Sequence, residues 1–185
     1  MPVNPLVQPG AIAAKVLCVL SFTYEVAIVT GGSCGVGREI ARTLASRGYA
    51  VVLVYLRDQS AAEAAVDEIL AANGTALAVR ADVVDELDVE RLFDETKAAF
   101  GSVDVVVHTA VRGSHVVNQE AARQLRDGGA IVNVSSSHPI TAVVADQLRR
   151  RGITVNGLAP GLEPPGGHHD VADLVALLDR WRRTP

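Results

Sequence analysis

Thr30, Gly31, Gly35 and Gly37 form a T-G-x-x-x-G-x-G pattern within Val26-Ala27-Ile28-Val29-Thr30-Gly31-Gly32-Ser33-Cys34-Gly35-Val36-Gly37-Arg38. An apolar run enters this stretch and a helical pattern leaves it. A glycine-rich turn at such a junction lets backbone N–H groups approach a phosphate, because glycine has no Cβ to block the approach. The helix start behind it adds a partial positive charge. Gly31, Ser33, Cys34, Gly35, Val36 and Gly37 are therefore expected to cradle the pyrophosphate of a dinucleotide. The spacing differs from the common G-x-G-x-x-G fingerprint, but strand, turn and helix arrive in the order a phosphate cradle requires. The plain alternative is a glycine-rich turn with no ligand.

Other side chains could do chemistry with less specific spacing. His138 and His108 could act as acids, since imidazole titrates near neutrality. An ordinary loop histidine is the commoner outcome for each. His168-His169-Asp170 lacks a third spaced ligand, so no metal site is expected. Cys34 stands at a helix start, a setting that lowers a thiol pKa, although a small residue filling the turn is the plainer reading.

The elements that must position these residues alternate at short intervals. Strands are expected at 26–30, 50–55, 76–80, 103–107, 130–134 and 153–158. Helices are expected at 35–47, from Ser60 to about Gly74, and at 86–100, 117–126, 141–151 and 171–182. Gly48 and Gly101 suit helix ends. Ser60 with Glu63 reads as a capping box for the second helix. Val89, Leu92, Phe93, Thr96 and Phe100 share one face of the third. Short apolar strands separated by helices predict an α/β fold, a doubly wound (Rossmann) parallel sheet of about six strands with helices on both faces. Residues 1–24 read as an N-terminal arm, with residues 14–20 as an extra strand or apolar strap, and residues 25–185 as a single dinucleotide-binding domain.

A chain of 185 residues with 49% hydrophobic residues can bury one proper core. Its net charge of −4 gives no basic footprint for nucleic acid. Residues 11–22 are too short to span a bilayer and contain Lys15, so no membrane segment is expected. Two cysteines make neither a disulfide framework nor a zinc cluster, which sets a reduced, cytoplasmic location as the expectation.

The T-G-x-x-x-G-x-G turn resembles that of the short-chain dehydrogenase/reductase family, and three later segments match in order over roughly residues 25–178. Arg80-Ala81-Asp82-Val83 is similar to the family's adenine-binding segment, which implies that Asp82 bonds the adenine amino group and Val83 lies against the ring. Gly129-Ala130-Ile131-Val132-Asn133-Val134-Ser135-Ser136 resembles the family's fifth strand, whose second serine orients the substrate carbonyl, so Ser136 takes that catalytic role. Residues 151–161 resemble the sixth strand, whose Pro-Gly turn, here Pro160-Gly161, passes beside the nicotinamide. Ala110 is the one match to the family's Asn-Asn-Ala-Gly turn. NAD-selective members carry an acid at the end of the second strand, where this chain has Tyr55, Leu56 and Arg57. An arginine there attracts a ribose 2′-phosphate and can fork onto it. The resemblance therefore implies an NADP(H)-binding oxidoreductase acting on a small carbonyl or alcohol; NAD(H) is the second choice of cofactor.

The resemblance also breaks. The family's Tyr-x-x-x-Lys pair is absent in any register, because no tyrosine follows Tyr55 and no lysine follows Lys97. Ser136 to Gly152 is only sixteen positions, less than half the family's usual interval. Asn118 matches a later part of its helix than the family's catalytic asparagine. Three readings stay open: a shortened oxidoreductase, a catalytically inactive dinucleotide-binding sensor or partner subunit, or a decayed relative that folds poorly. Losing a covering helix after Ser136 would expose apolar surface, so self-association as a homo-oligomer is expected.

Overall fold

The computed structural model describes residues 24–110, 112–134, 146 and 148–158. They form one six-stranded sheet, β1 (Val26–Thr30), β2 (Ala50–Tyr55), β3 (Thr75–Arg80), β4 (Val105–His108), β5 (Ala130–Val134) and β6 (Thr154–Leu158), in the order β3-β2-β1-β4-β5-β6. Every pairing is parallel. Four helices follow the first four strands in turn: α1 (Gly35–Ser46), α2 (Gln59–Ala71), α3 (Glu86–Phe100) and α4 (Ser114–Gln124).

The strands are apolar on both faces because both faces are covered. Ala27, Val29, Val51 and Leu53 pack with Ile40, Leu44, Ala65 and Ile69 of α1 and α2. The alternate residues Ile28, Val52, Val106 and Ile131 pack with Leu92, Phe93, Val117 and Ala121 of α3 and α4. A strand between two such layers has no solvent face on which to place polar residues, which is why β1 and β2 read as unbroken apolar runs rather than as alternating ones. Each fully buried Val, Leu or Phe contributes about 1.5–3 kcal/mol relative to exposure.

The bounds of β1, β2, α3 and β5 are as the residue pattern predicts. On α3, Val89, Leu92, Phe93 and Thr96 are buried, Phe100 packs partly against the core, and Gly101 caps the end with φ 86°. The start of α2 differs from expectation. Its N-cap is Asp58, whose Oδ1 accepts from Ala61 N–H at 2.9 Å, and not Ser60. A carboxylate two residues earlier meets the positive end of the helix better than a hydroxyl does. Glu63 then bonds Gln59 along the helix at 2.7 Å instead of closing a capping box.

The fourth strand starts two residues late and runs on to His108, since the ladder to β1 includes the pair Thr30 and His108. α4 begins at Ser114, three residues early, because Gly113 in a left-handed conformation (φ 84°) turns the chain straight into the helix. Of the helix expected over 141–151, residues 146 and 148–151 are described; 146 and 148–150 are helical, and 151 lies in the turn that follows. The arm, the 171–182 helix, Ser136, His138, Pro160, Gly161 and residues 168–170 lie outside the described residues. Among the described residues no helix is long and apolar enough to cross a membrane.

Candidate functional site

β1 stands at the sheet's switch point: the chain leaves it toward β2 on one side, and β4 lies against the other. Crevices of this kind, at the carboxyl ends of the strands, are where open α/β sheets bind ligands. The Gly31–Gly37 turn leaves β1 at that end. Tyr55 and Arg57 leave β2 there, Asp82 and Val83 leave β3, and Ala110 leaves β4, so the parallel sheet gathers these expected site residues at one edge.

The turn is built by close backbone approach. A Cβ on Gly37 would stand 2.3 Å from the Gly31 carbonyl oxygen, which no side chain can tolerate. Gly35 is different: it has φ 53°, and a Cβ there would meet nothing within 4 Å. The space beside Gly35 is therefore open while its backbone is in a conformation that other residues reach only at a cost. Cys34 is the N-cap of α1 and makes no side-chain cap bond, and no acid occupies the first turn. α2 and α3, by contrast, are capped by the carboxylates of Asp58 and Asp85. The first N–H groups of α1 lack an intrahelical acceptor by construction, so this helix start, facing open space, can take a phosphate. Cys34, Gly35 and Val36 are exposed at its mouth.

Behind the turn, β1 and β4 are pinned to each other. Thr109 donates its hydroxyl to the Thr30 carbonyl at 2.6 Å and its backbone N–H to Thr30 Oγ1 at 3.2 Å. Thr30 Oγ1 also lies 2.9 Å from His108 Nδ1. Thr109 Oγ1 stands 2.7 Å from where a Gly31 Cβ would be, and Ala110 N lies 3.9 Å from the same point. His108 is thus no loop histidine. It is fully buried in the sheet, in one row with Thr30 and Asn133. Asn133 is 1% exposed, and its carboxamide has no hydrogen-bond partner among the described residues. Asn118 is buried on α4.

Past the end of β3, Asp82 forms a tight turn. Its Oδ1 accepts from Val84 N–H at 3.2 Å, and its N–H donates to Asp88 Oδ2 at 2.9 Å. Val83 is half-buried, with its carbonyl 2.3 Å from where a Cβ on Gly113 would stand. The Arg91 guanidinium, bonding Asp88 at 2.8 Å, holds the Asp88 carboxyl below the usual carboxylate range, and the Asp82 N–H adds to the effect. Asp88 and Glu95 together raise the Arg91 pKa. Arg91 also donates to the Arg80 carbonyl at 2.9 Å, and Arg80 Nε donates to the Leu56 carbonyl at 3.2 Å. Arg57 is exposed, and no hydrogen bond or ion pair engages its side chain among the described residues. Sequence reasoning did not single out Thr109 or Arg80. The signals were a hydroxyl where the family has an amide, and a cation closing an otherwise apolar strand.

A six-stranded parallel sheet in this order, wrapped by helices and carrying a glycine turn at its switch point, defines a Rossmann-type α/β protein. The family model described as short chain dehydrogenase matches residues 25–125. An uncharacterized oxidoreductase of Methylorubrum extorquens is 32% identical over 78% of this chain and 75% of its own length. The 3-oxoacyl-[acyl-carrier-protein] reductase FabG of Staphylococcus aureus is 33% identical over 73% of each chain. Among solved structures, a short chain dehydrogenase from Burkholderia cenocepacia in complex with NADP superposes with a TM-score of 0.71 at 30% identity, covering 86% of this chain and 92% of its own. The chain belongs to the short-chain dehydrogenase/reductase family.

Proposed function

We propose that this chain binds NADP(H) in the crevice above β1 and acts as an oxidoreductase on a small carbonyl or alcohol. The observation that carries the reading is the pairing of an open, uncapped helix start at Gly35 with an unengaged guanidinium at Arg57. Gly31, Ser33, Cys34, Gly35, Val36 and Gly37 would hold the pyrophosphate. Tyr55 and Arg57 would take the ribose carrying the 2′-phosphate, and Asp82 and Val83 the adenine. Ala110, Pro160 and Gly161 would line the path to the nicotinamide. A bound dinucleotide would donate hydride to a carbonyl or accept it from an alcohol, and Ser136 would orient the substrate oxygen. The NADP bound by the Burkholderia relative supports this cofactor class.

A second reading rests on a specific observation. A free phenol titrates near 10 and needs a neighbouring cation to exchange protons near neutrality, and this chain has neither the tyrosine nor the lysine after Lys97 to make such a pair. That absence favours a dinucleotide-binding sensor or partner subunit without turnover.

Thermal unfolding with NADPH, with NADH and without ligand tests the binding half. A ligand at a hundred times its dissociation constant stabilises by ~2.7 kcal/mol. A larger shift with NADPH than with NADH is the expected result, and no shift with either would overturn the reading. NADPH oxidation over a panel of small carbonyls, abolished by Ser136→Ala, separates the oxidoreductase from the sensor.

A further inference from the structure

We propose that Arg80 is a positioning residue for cofactor selectivity: by holding the Leu56 carbonyl, it fixes the short turn from which Arg57 meets the adenosine 2′-phosphate. The inference rests on the NADP(H) reading above and deepens it.

The turn between β2 and α2 is three residues long, Leu56, Arg57 and Asp58. Both residues flanking Arg57 are tied. Asp58 is held as the N-cap of α2 through Ala61 N–H. Leu56 is held through its carbonyl by Arg80 Nε. The residue before the turn is tied as well, since the Tyr55 carbonyl accepts from Ala81 N–H at 3.0 Å and Tyr55 lies in register with Arg80. Arg57 therefore has a fixed backbone and an unengaged side chain, an arrangement that lowers the ordering cost of binding an anion.

Arg80 is in turn fixed. Its carbonyl accepts from Arg91, and Arg91 is braced by Asp88 and by Glu95 at 2.9 Å. The carboxylates nearby are occupied: Asp58 by the helix cap, Asp88 by Arg91 and the Asp82 N–H. No carboxylate pairs with Arg80 among the described residues. The Arg80 guanidinium closes the strand Thr75–Arg80 without a direct salt bridge among the described residues, and its charge acts on Asp88 only at longer range. Its one side-chain hydrogen bond among the described residues is to the turn that carries Arg57.

The contribution is specific to one cofactor. NADH has no 2′-phosphate for Arg57 to meet, so loosening the Leu56 carbonyl should weaken NADPH and leave NADH alone. A purely structural role would weaken both together.

The test is titration of NADPH and of NADH into the wild-type chain and into Arg57→Ala, Arg80→Met and Arg80→Gln, with ligand-free melting to check each fold. Methionine keeps the apolar stem and removes the donor, whereas glutamine keeps a donor without the charge. The expected result for Arg80→Met is an NADPH dissociation constant raised about tenfold, equivalent to ~1.4 kcal/mol, with NADH unchanged. Arg80→Gln should retain most of the preference. Equal weakening of both cofactors in Arg80→Met would overturn the inference. So would a loss in Arg80→Gln as deep as in Arg80→Met, which would mean that charge and not the carbonyl bond matters. If Arg57→Ala removes the preference and Arg80→Met does not, this inference fails and the NADP(H) reading stands. If the wild-type chain shows no preference for NADPH, both fall.

Discussion

Thr109 closes a two-point clasp on Thr30: its hydroxyl reaches the Thr30 carbonyl at 2.6 Å and its N–H reaches the Thr30 hydroxyl at 3.2 Å. The two residues are 79 apart in sequence, and they join the strands on either side of the switch point. Because Thr109 Oγ1 also fills the space that Gly31 leaves open, the clasp sets the position of the glycine turn. Thr109→Val keeps the shape and removes the donor, leaving a part-buried carbonyl acceptor short of its partner. Such a loss costs about 1–3 kcal/mol. In a chain of this size each kcal/mol moves the melting temperature by about 2–4 °C. Thr109→Ser should recover most of the loss. Melting curves of the two variants check this, and an unshifted Thr109→Val would mean that the clasp is not a stability contact.

Gly35 and Gly37 should respond differently to the same added methyl. At Gly37 the Cβ would stand 2.3 Å from a backbone oxygen, so Gly37→Ala must displace the turn itself. The cost is expected at about 1–3 kcal/mol, as for other overpacking, with dinucleotide stabilisation lost as well. At Gly35 the Cβ meets open space. Gly35→Ala should therefore cost only the left-handed backbone penalty of about 1–2 kcal/mol. Its methyl enters the space proposed for the phosphate, so the ligand-induced melting shift should fall far more than the ligand-free stability. Parallel melts with and without NADPH separate the two cases.

Much of the fold was legible because punctuation and pattern agreed. Gly48 and Gly101 end helices whose apolar faces are regular, and β1, β2 and β5 are apolar runs that both layers bury. The misreadings are local contests. Ser60 and Asp58 both suit a helix start, and only the fold decides that the carboxylate reaches Ala61. His108 reads from sequence as the residue just past a strand. Pairing with Thr30 and Asn133 extends the strand through it and buries it. The tight turn at Gly31–Gly37 was legible because glycine spacing constrains the backbone directly. Thr109 and Arg80 were not, because each acts through a backbone carbonyl distant in sequence, and a one-dimensional pattern carries no mark of that partner.

Asp88 should give the chain part of its resistance to acid. Arg91 and the Asp82 N–H hold its folded pKa below the ordinary value. A depressed carboxylate contributes stability that is present above its unfolded pKa, about 3.9, and is lost as pH falls through the folded value. Asp88→Asn removes that titration. Urea midpoints from pH 6 down to pH 2.5 should show the wild-type chain ahead of the variant by a margin constant above about pH 5 and shrinking below about pH 4. The side chains of Asp88 and Arg91 are partly exposed, so added salt should reduce the margin. A margin that does not vary with pH would show that the carboxylate titrates alike in the folded and unfolded chain.

Asp104 offers the contrasting case, at the opposite edge of the sheet from the proposed cofactor. It is 1% exposed just before β4; its Oδ2 accepts from Val26 N–H at 2.9 Å and from the Ser102 hydroxyl at 3.0 Å. Its Oδ1 lies 2.9 Å from a guanidinium nitrogen of the largely exposed Arg126. The bond to Val26 joins the start of β1 to the start of β4, as the Thr109 clasp joins their ends. Asp104→Ala strands the fully buried Val26 N–H, at a cost of about 1–3 kcal/mol. Asp104→Asn keeps an acceptor for Val26 and gives up only the pairing with an exposed arginine, worth about 0–1 kcal/mol. Neither variant touches the crevice, so the ratio of NADPH to NADH affinity should match the wild-type ratio in both, even where the alanine variant melts several degrees lower. A shifted ratio in Asp104→Ala would mean that the two ends of the β1–β4 seam are mechanically coupled, and that selectivity depends on more than the turn holding Arg57.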